Sequence, residues 1–174
     1  MLSDYYRSLI REVPDFPKPG ILFYDITTLL KDPKAFSAIA DDLTAYYRDQ
    51  GIHKVVGIES RGFIFGGILA QRLKAGFIPV RKPGKLPADI FEVHYSLEYG
   101  SNTLTIHRDA ISNGERVLVV DDLLATGGTA AATVSLVQQL GGTIVGLDFL
   151  VELKELKGRE KLVGHAVHSS IIYP

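Results

Sequence analysis

Asp121 and Asp122, followed shortly by Ala125, Thr126, Gly127, Gly128 and Thr129, are the residues of this chain whose types and spacing best suit chemistry. Both acids close the apolar run Val117–Val120, which reads as a strand buried on both sides. Side chains alternate along a strand, so one carboxylate meets sugar hydroxyls while the other faces ligand or the water shell of a metal. Glycines then let the backbone approach closely, threonines donate hydroxyls, and the helix that follows aims its unpaired N–H groups at the turn. A phosphate fits that turn. An isolated TGGT would equally suit any polar turn between a strand and a helix; the buried strand and the acid pair favour a ligand. No Walker lysine and no GxGxxG accompany it, which disfavours nucleoside triphosphate hydrolysis and dinucleotide binding.

Other residues offer complementary charge. Glu59, Ser60, Arg61 and Gly62 follow the apolar segment KVVGI and precede a helix, placing an arginine and helical N–H groups at a second strand end, as a pyrophosphate requires. An arginine paired with Glu59 at a solvated turn fits the same residues. Arg81, Lys82 and Lys85 bring three cations into RKPGKLPAD, where two prolines and a glycine disfavour regular structure and predict a mobile loop. Glu98 stands on the polar side of an alternating strand, either as an exposed carboxylate or as a proton acceptor. The five histidines have no metal-ligand spacing with nearby acids, and no protein-built metal cage is expected.

The elements that must position these groups read as α/β. A chain of 174 residues, 46% hydrophobic, supports one substantial core, so a single domain over 1–174 is expected. Leu2–Val13 has the spacing of a short helix ended by Pro14, and PDFPKPGILFYDITTLL reads as irregular but apolar enough to lie on a core. Asp32 and Pro33 begin a helix whose apolar face is Phe36, Ile39, Ala40, Leu43 and Tyr47, stopped by Gly51. Strand and helix patterns then alternate: KVVGI, a helix over about 62–74, FIPV, RVLVV, a helix over about 128–140, and TIVGLDFLV. That repetition predicts a doubly wound, mainly parallel sheet with helices on both faces. Within it, Val93, Tyr95, Leu97 and Tyr99 alternate with polar residues before a turn at Gly100, Ser101 and Asn102, predicting an inserted antiparallel hairpin. A net charge of −1 gives no global field for nucleic acid, and the absence of cysteine excludes disulfides and thiolate metal sites. No apolar run approaches the roughly 20 residues that span a bilayer. Neither membrane nor nucleic-acid partners are expected, and a cytoplasmic protein acting on small molecules is.

The acid pair followed by ATGGT resembles the phosphoribosyl diphosphate motif of the type I phosphoribosyltransferases. ESRGF at 59–63, FPKPGILFYDI, RKPGKLP, YSLEYG and LKGREKL extend the resemblance, in order and over nearly the whole chain, to the adenine-specific members of that family. The resemblance implies transfer of a 5-phosphoribosyl group from phosphoribosyl diphosphate to adenine, giving AMP and pyrophosphate in purine salvage. It assigns Asp121, Asp122, Ala125, Thr126, Gly127, Gly128 and Thr129 to the phosphoribosyl group, and Glu59, Ser60, Arg61, Gly62, Arg81, Lys82 and Lys85 to pyrophosphate. Glu98 and Arg61 become catalytic, Glu98 by assisting loss of the adenine proton. Residues 1–32 become a hood over the base, with Leu22, Phe23 and Tyr24 in contact with it, and 81–108 a flexible loop and hairpin over the site. Many family members carry arginine where this chain has Tyr24, so a side-chain hydrogen bond to a ring nitrogen is absent or made by the phenol. The resemblance also implies a non-proline cis peptide near Ser60 and Arg61, and a homodimer. Mg²⁺ is expected to arrive with the diphosphate, reached only indirectly by Asp121 or Asp122. Two other readings stay open: a transferase for xanthine, hypoxanthine or orotate, and a regulator that senses phosphoribosyl diphosphate. Regulators of that kind carry an added DNA-binding domain, whereas residues 1–53 hold no basic recognition helix.

Overall fold

The computed structural model describes residues 2–96 and 101–174, which divide into two compact units, one ending at Ala45 and the other Tyr46–Pro174. In the first, α1 (Leu2–Ser8) is shorter than the helix expected to Val13. The residues after it form β1 (Arg11–Pro14), antiparallel to β2 (Leu22–Asp25), with Arg11 opposite Asp25 and Val13 opposite Phe23. The stretch read as irregular therefore contains a hairpin. Its chain reversal uses a cis Phe16–Pro17 bond, and the Phe16 and Phe23 rings meet edge to face at 5.1 Å. A short α2 (Thr27–Leu30) follows, then α3 (Pro33–Tyr47), which runs on into the second unit. Asp32 caps α3 as the sequence predicts, its Oδ1 accepting the Lys34 and Ala35 N–H groups at 2.9 and 3.0 Å. Ala35, Ile39, Ala40, Leu43 and Tyr47 form its buried face.

The second unit is built on a parallel sheet. Its elements in chain order are β3 (Lys54–Ile58), α4 (Gly62–Leu73), β4 (Gly76–Val80), the antiparallel pair β5 (Ile90–Ser96) and β6 (Ser101–His107), β7 (Arg116–Leu124), α5 (Gly128–Gln139), β8 (Thr143–Leu153) and β9 (Val167–Tyr173). The sheet order is β4-β3-β7-β8-β9, with every pairing parallel. Val55, Val56 and Val117–Val120 are fully buried, the pattern of strands covered on both faces. From β3 the chain crosses through α4 to β4 on one side; from β7 it crosses through α5 to β8 on the other. Between β3 and β7 the winding reverses, and the crevice beyond their carboxyl ends is where such sheets bind ligands.

Three departures from the sequence reading concern this unit. The hairpin is present as a separate two-stranded sheet, but Asn102 pairs with Tyr95 inside a strand instead of turning; Leu97, Glu98, Tyr99 and Gly100 lie outside the described residues. The strand β9 has no counterpart in the reading, because HSS interrupts its apolar run and hides the pattern. Two 3-10 segments, Lys154–Leu156 and Gly158–Leu162, were also not anticipated; each is too short to leave a periodic signal.

A buried polar cluster fixes the end of α3 to the sheet. Asp148 on β8 accepts the Tyr47 hydroxyl at 3.1 Å and pairs with His168 Nδ1 at 2.6 Å, while the Tyr46 ring stacks on His168 at 4.5 Å. Burial pushes the Asp148 carboxyl upward, opposed by His168 and Tyr47. Asp148→Ala leaves both partners without their acceptor, for an expected loss of about 2–4 kcal/mol, against about 1 kcal/mol for Tyr47→Phe, which keeps Asp148 bonded to His168. Urea unfolding of the two variants measures this; equal, small losses would contradict an anchoring role.

Candidate active site

The strand β7 carries its two acids to the crevice in different settings. Asp122 is buried, and its Oδ2 lies 2.7 Å from Arg61 Nε. Asp121 turns its Oδ1 back to accept the Asp122 N–H at 2.8 Å. Burial raises the Asp121 carboxyl well above the usual range, and the neighbouring Asp122 adds to the effect. Burial raises Asp122 too, opposed by the Arg61 guanidinium. Gly62 lets α4 approach this strand end: a Cβ there would stand 2.8 Å from the Val120 carbonyl oxygen and 3.0 Å from Asp121 Oδ1.

After β7, the turn into α5 is shaped by one contact. Gly127 has φ +76°, and a side chain on it would run into the Gly158 carbonyl, while one on Gly158 would run into the Ala125 carbonyl. The 3-10 segment Gly158–Leu162 is thus pressed under the turn. Arg159 keeps it there, gripping Glu152 on β8 through two hydrogen bonds of 2.7 and 2.6 Å and donating to the Val167 carbonyl at 3.0 Å. The LKGREKL stretch thus supports the turn. No side chain caps α5, and Gly128, Thr129 and Ala130 of its first turn line the crevice, so the amino end of the helix faces open space suited to an anion.

At the end of β3, Glu59 gathers the loop that follows β4. Its Oε1 accepts Arg81 Nη2 at 3.1 Å and Lys85 Nζ at 2.7 Å, and its Oε2 accepts the Lys82 N–H at 3.2 Å. Hydrogen bonds from Arg81 and then Lys85 hold the Glu59 carboxyl down at about 2. The non-proline cis peptide lies between Glu59 and Ser60. Arg81 and Thr105 exchange backbone hydrogen bonds at 3.0 and 2.8 Å, tying the loop to β6.

One cleft of about 400 Å³ joins these parts. Glu59, Ser60, Arg61, Lys82, Asp121, Asp122 and all of Ala125–Thr129 line it. Of the other residues read from the sequence, Gly62 packs behind it, and Arg81 and Lys85 are turned to Glu59 instead of the cleft. Leu22, Phe23 and Tyr24 lie on β2 of the first unit, and Glu98 falls outside the described residues. Tyr95, Asn102 and Leu104 also line the cleft and were not singled out. Alternation along β5 was the available signal, since it puts Tyr95 on the same face as Phe91 and Val93. The described residues hold no group of three or more histidines and acids that could bind a metal ion, and no helix long and apolar enough to cross a membrane.

Because the folded Glu59 value lies below the ordinary 4.5, its stabilising contribution is complete above that pH and is lost as the pH falls toward 2. The difference in urea-unfolding free energy between wild type and Glu59→Gln should therefore stay flat from pH 8 to about 5 and shrink below 4.5. A difference unchanged at pH 3 would contradict the ion-pair account.

Comparison with known proteins accords with this geometry. The phosphoribosyl transferase domain family matches residues 25–169. An adenine phosphoribosyltransferase of Solibacter usitatus is 62% identical over 96% of both chains. The crystal structure of adenine phosphoribosyltransferase from Thermoanaerobacter pseudethanolicus superposes with a TM-score of 0.95 at 49% identity, covering 99% of this chain and 100% of the other. The Saccharomyces cerevisiae enzyme, complexed with an imino-altritol bisphosphate and adenine, gives 0.91 at 40% identity over 98% of each chain. With its sheet, its acid pair and its glycine turn in these positions, the chain belongs to the type I phosphoribosyltransferases, in the adenine phosphoribosyltransferase family.

Proposed function

We infer that this site transfers the 5-phosphoribosyl group of phosphoribosyl diphosphate to adenine, giving AMP and pyrophosphate in purine salvage. The observation that carries the reading is the single cleft in which the acid pair and turn ending β7 face the Glu59–Arg61 segment ending β3. Ala125–Thr129 hold the 5′-phosphate with backbone N–H groups and hydroxyls, and Asp121 meets the ribose hydroxyls. Ser60 and Arg61 receive the pyrophosphate, and Gly62, packed behind them against β7, lets the start of α4 come close enough to take part.

During transfer C1′ gains positive charge while the leaving pyrophosphate gains negative charge, so a cation aimed at the pyrophosphate favours the transition state over the ground state. Among the described residues, Arg61 and Lys82 are the cations that line the cleft. Glu59, ionised down to about pH 2, would repel a diphosphate; it serves the pyrophosphate by fastening Lys82 and its neighbours to β3. Arg81 and Lys85 reach a phosphate only by leaving Glu59. Asp121 and Asp122 present hard oxygen donors suited to Mg²⁺ reached through water. Bound with the diphosphate, that ion would neutralise charge on the leaving group.

Glu98 accepts the proton lost from adenine as its N9 bonds C1′, directly or through water. Leu22, Phe23 and Tyr24 contact the base, the Tyr24 phenol standing where arginine is common in the family. Residues 1–174 act as one catalytic domain, with 1–32 as hood and 81–108 as loop and hairpin, in a cytoplasmic homodimer.

Purified protein mixed with phosphoribosyl diphosphate, Mg²⁺ and each of adenine, hypoxanthine, xanthine and orotate is expected to form AMP from adenine as the dominant nucleotide. A different dominant nucleotide would overturn the base assignment, and binding without any product would overturn the enzyme reading. Glu98→Gln should lower kcat about 100-fold at saturating substrates; unchanged turnover would remove the role from Glu98.

A further inference from the structure

Among the described residues, a side-chain hydrogen bond joins the hairpin to the phosphate turn: the Tyr95 hydroxyl on β5 and the Thr129 hydroxyl on α5 lie 3.1 Å apart. Both residues line the cleft, Thr129 within the glycine turn and Tyr95 facing it from the hairpin, with Asn102 and Leu104 from β6 beside it. The Tyr95 ring, half-buried, packs with Phe91 and Val93 against the core that includes Ala130, so the hydroxyl is the polar tip of an otherwise apolar contact between β5 and α5. Its place on the hairpin is fixed by pairing: Tyr95 lies opposite Asn102, and Val93 opposite Leu104.

A threonine hydroxyl has one proton to donate and two lone pairs to accept with. Either hydroxyl of the pair can supply the proton. A phosphate in the turn has only acceptor oxygens, so it claims the Thr129 proton and leaves Thr129 able only to accept from Tyr95. The result is a one-way chain, Tyr95 O–H to Thr129 O–H to phosphate oxygen, in which each bond polarises the next. Filling the turn therefore strengthens the tie that holds β5 against α5.

We propose that Tyr95 is a positioning residue that couples occupation of the phosphate turn to placement of the β5–β6 hairpin, acting through the Thr129 hydroxyl. The substrate's own 5′-phosphate then sets the strand that carries Tyr95 into the cleft, and a ribosyl donor lacking that phosphate leaves the hairpin unset. The inference rests on assigning the phosphate to Ala125–Thr129. Coupling is reciprocal, so a hairpin held by Tyr95 tightens the phosphate by the same factor that the phosphate tightens the hairpin. One neutral hydrogen bond supports a factor of roughly 2–10.

Hydrogen–deuterium exchange with saturating ribose 5-phosphate tests this on wild type, Tyr95→Phe and Thr129→Ser. In the wild type, exchange should slow both in the turn, 125–131, and in the hairpin strands, 90–96 and 101–107. In Tyr95→Phe the turn should still be protected, the hairpin should lose its ligand-induced slowing, and the Kd for ribose 5-phosphate should rise about 2–10-fold. Thr129→Ser keeps the hydroxyl and should retain the wild-type response, which loss of packing alone would not explain. Ligand-induced slowing of the hairpin in Tyr95→Phe equal to the wild type, with the turn protected, would overturn the coupling and leave the phosphate assignment standing. Absence of protection in the wild-type turn would overturn that assignment and the inference with it.

Discussion

The Gly158 carbonyl occupies the space a side chain at Gly127 would need, and the Ala125 carbonyl does the same for Gly158. Two stretches of backbone more than 25 residues apart thus touch with nothing between them, and the shape of the phosphate turn depends on that contact. Everything else in the cleft is arranged around it. The buried strand β7 delivers the turn, α5 leaves it with its first N–H groups uncapped, and the Arg159–Glu152 pair presses the 3-10 segment up from below. A turn held from behind by backbone pays little conformational entropy when an anion docks in front of it.

Charge in the cleft is organised in compensated groups. Three acids, Glu59, Asp121 and Asp122, line the same cleft, an arrangement that would repel an anion if they were unpaired. Glu59 is neutralised by Arg81 and Lys85, and Asp122 by Arg61. Burial pushes the Asp121 carboxyl well above the usual range, which suits an acid that exchanges hydrogen bonds with sugar hydroxyls. Glu59 thereby fastens the loop that follows β4 to the end of β3, with Arg81 and Lys85 on its carboxylate and Lys82 at the cleft.

Much of this was legible in the sequence because it follows from local pattern. The all-apolar VLVV, the acid pair and ATGGT specify a buried strand, its end and a glycine turn, and Asp32-Pro33 specifies the start of α3. What was hidden depends on contacts remote in sequence. No local signal says that Gly158 fits beneath Gly127, that Glu59 captures cations 22 and 26 positions away, or that Tyr95 meets Thr129. The hairpin β1–β2 was hidden for another reason: prolines and Gly20 argue against regular structure, yet here they make the reversal between two short strands. The strand β9 was masked by its polar centre, where His168 and Ser169 turn to Asp148 and Arg159.

A crystal structure of the protein with AMP bound tests the central claim most directly. The account predicts the 5′-phosphate seated in Ala125–Thr129 within hydrogen-bond reach of the first N–H groups of α5, and the ribose hydroxyls at Asp121. A phosphate bound away from that turn, or a ribose with no contact to Asp121 or Asp122, would contradict it.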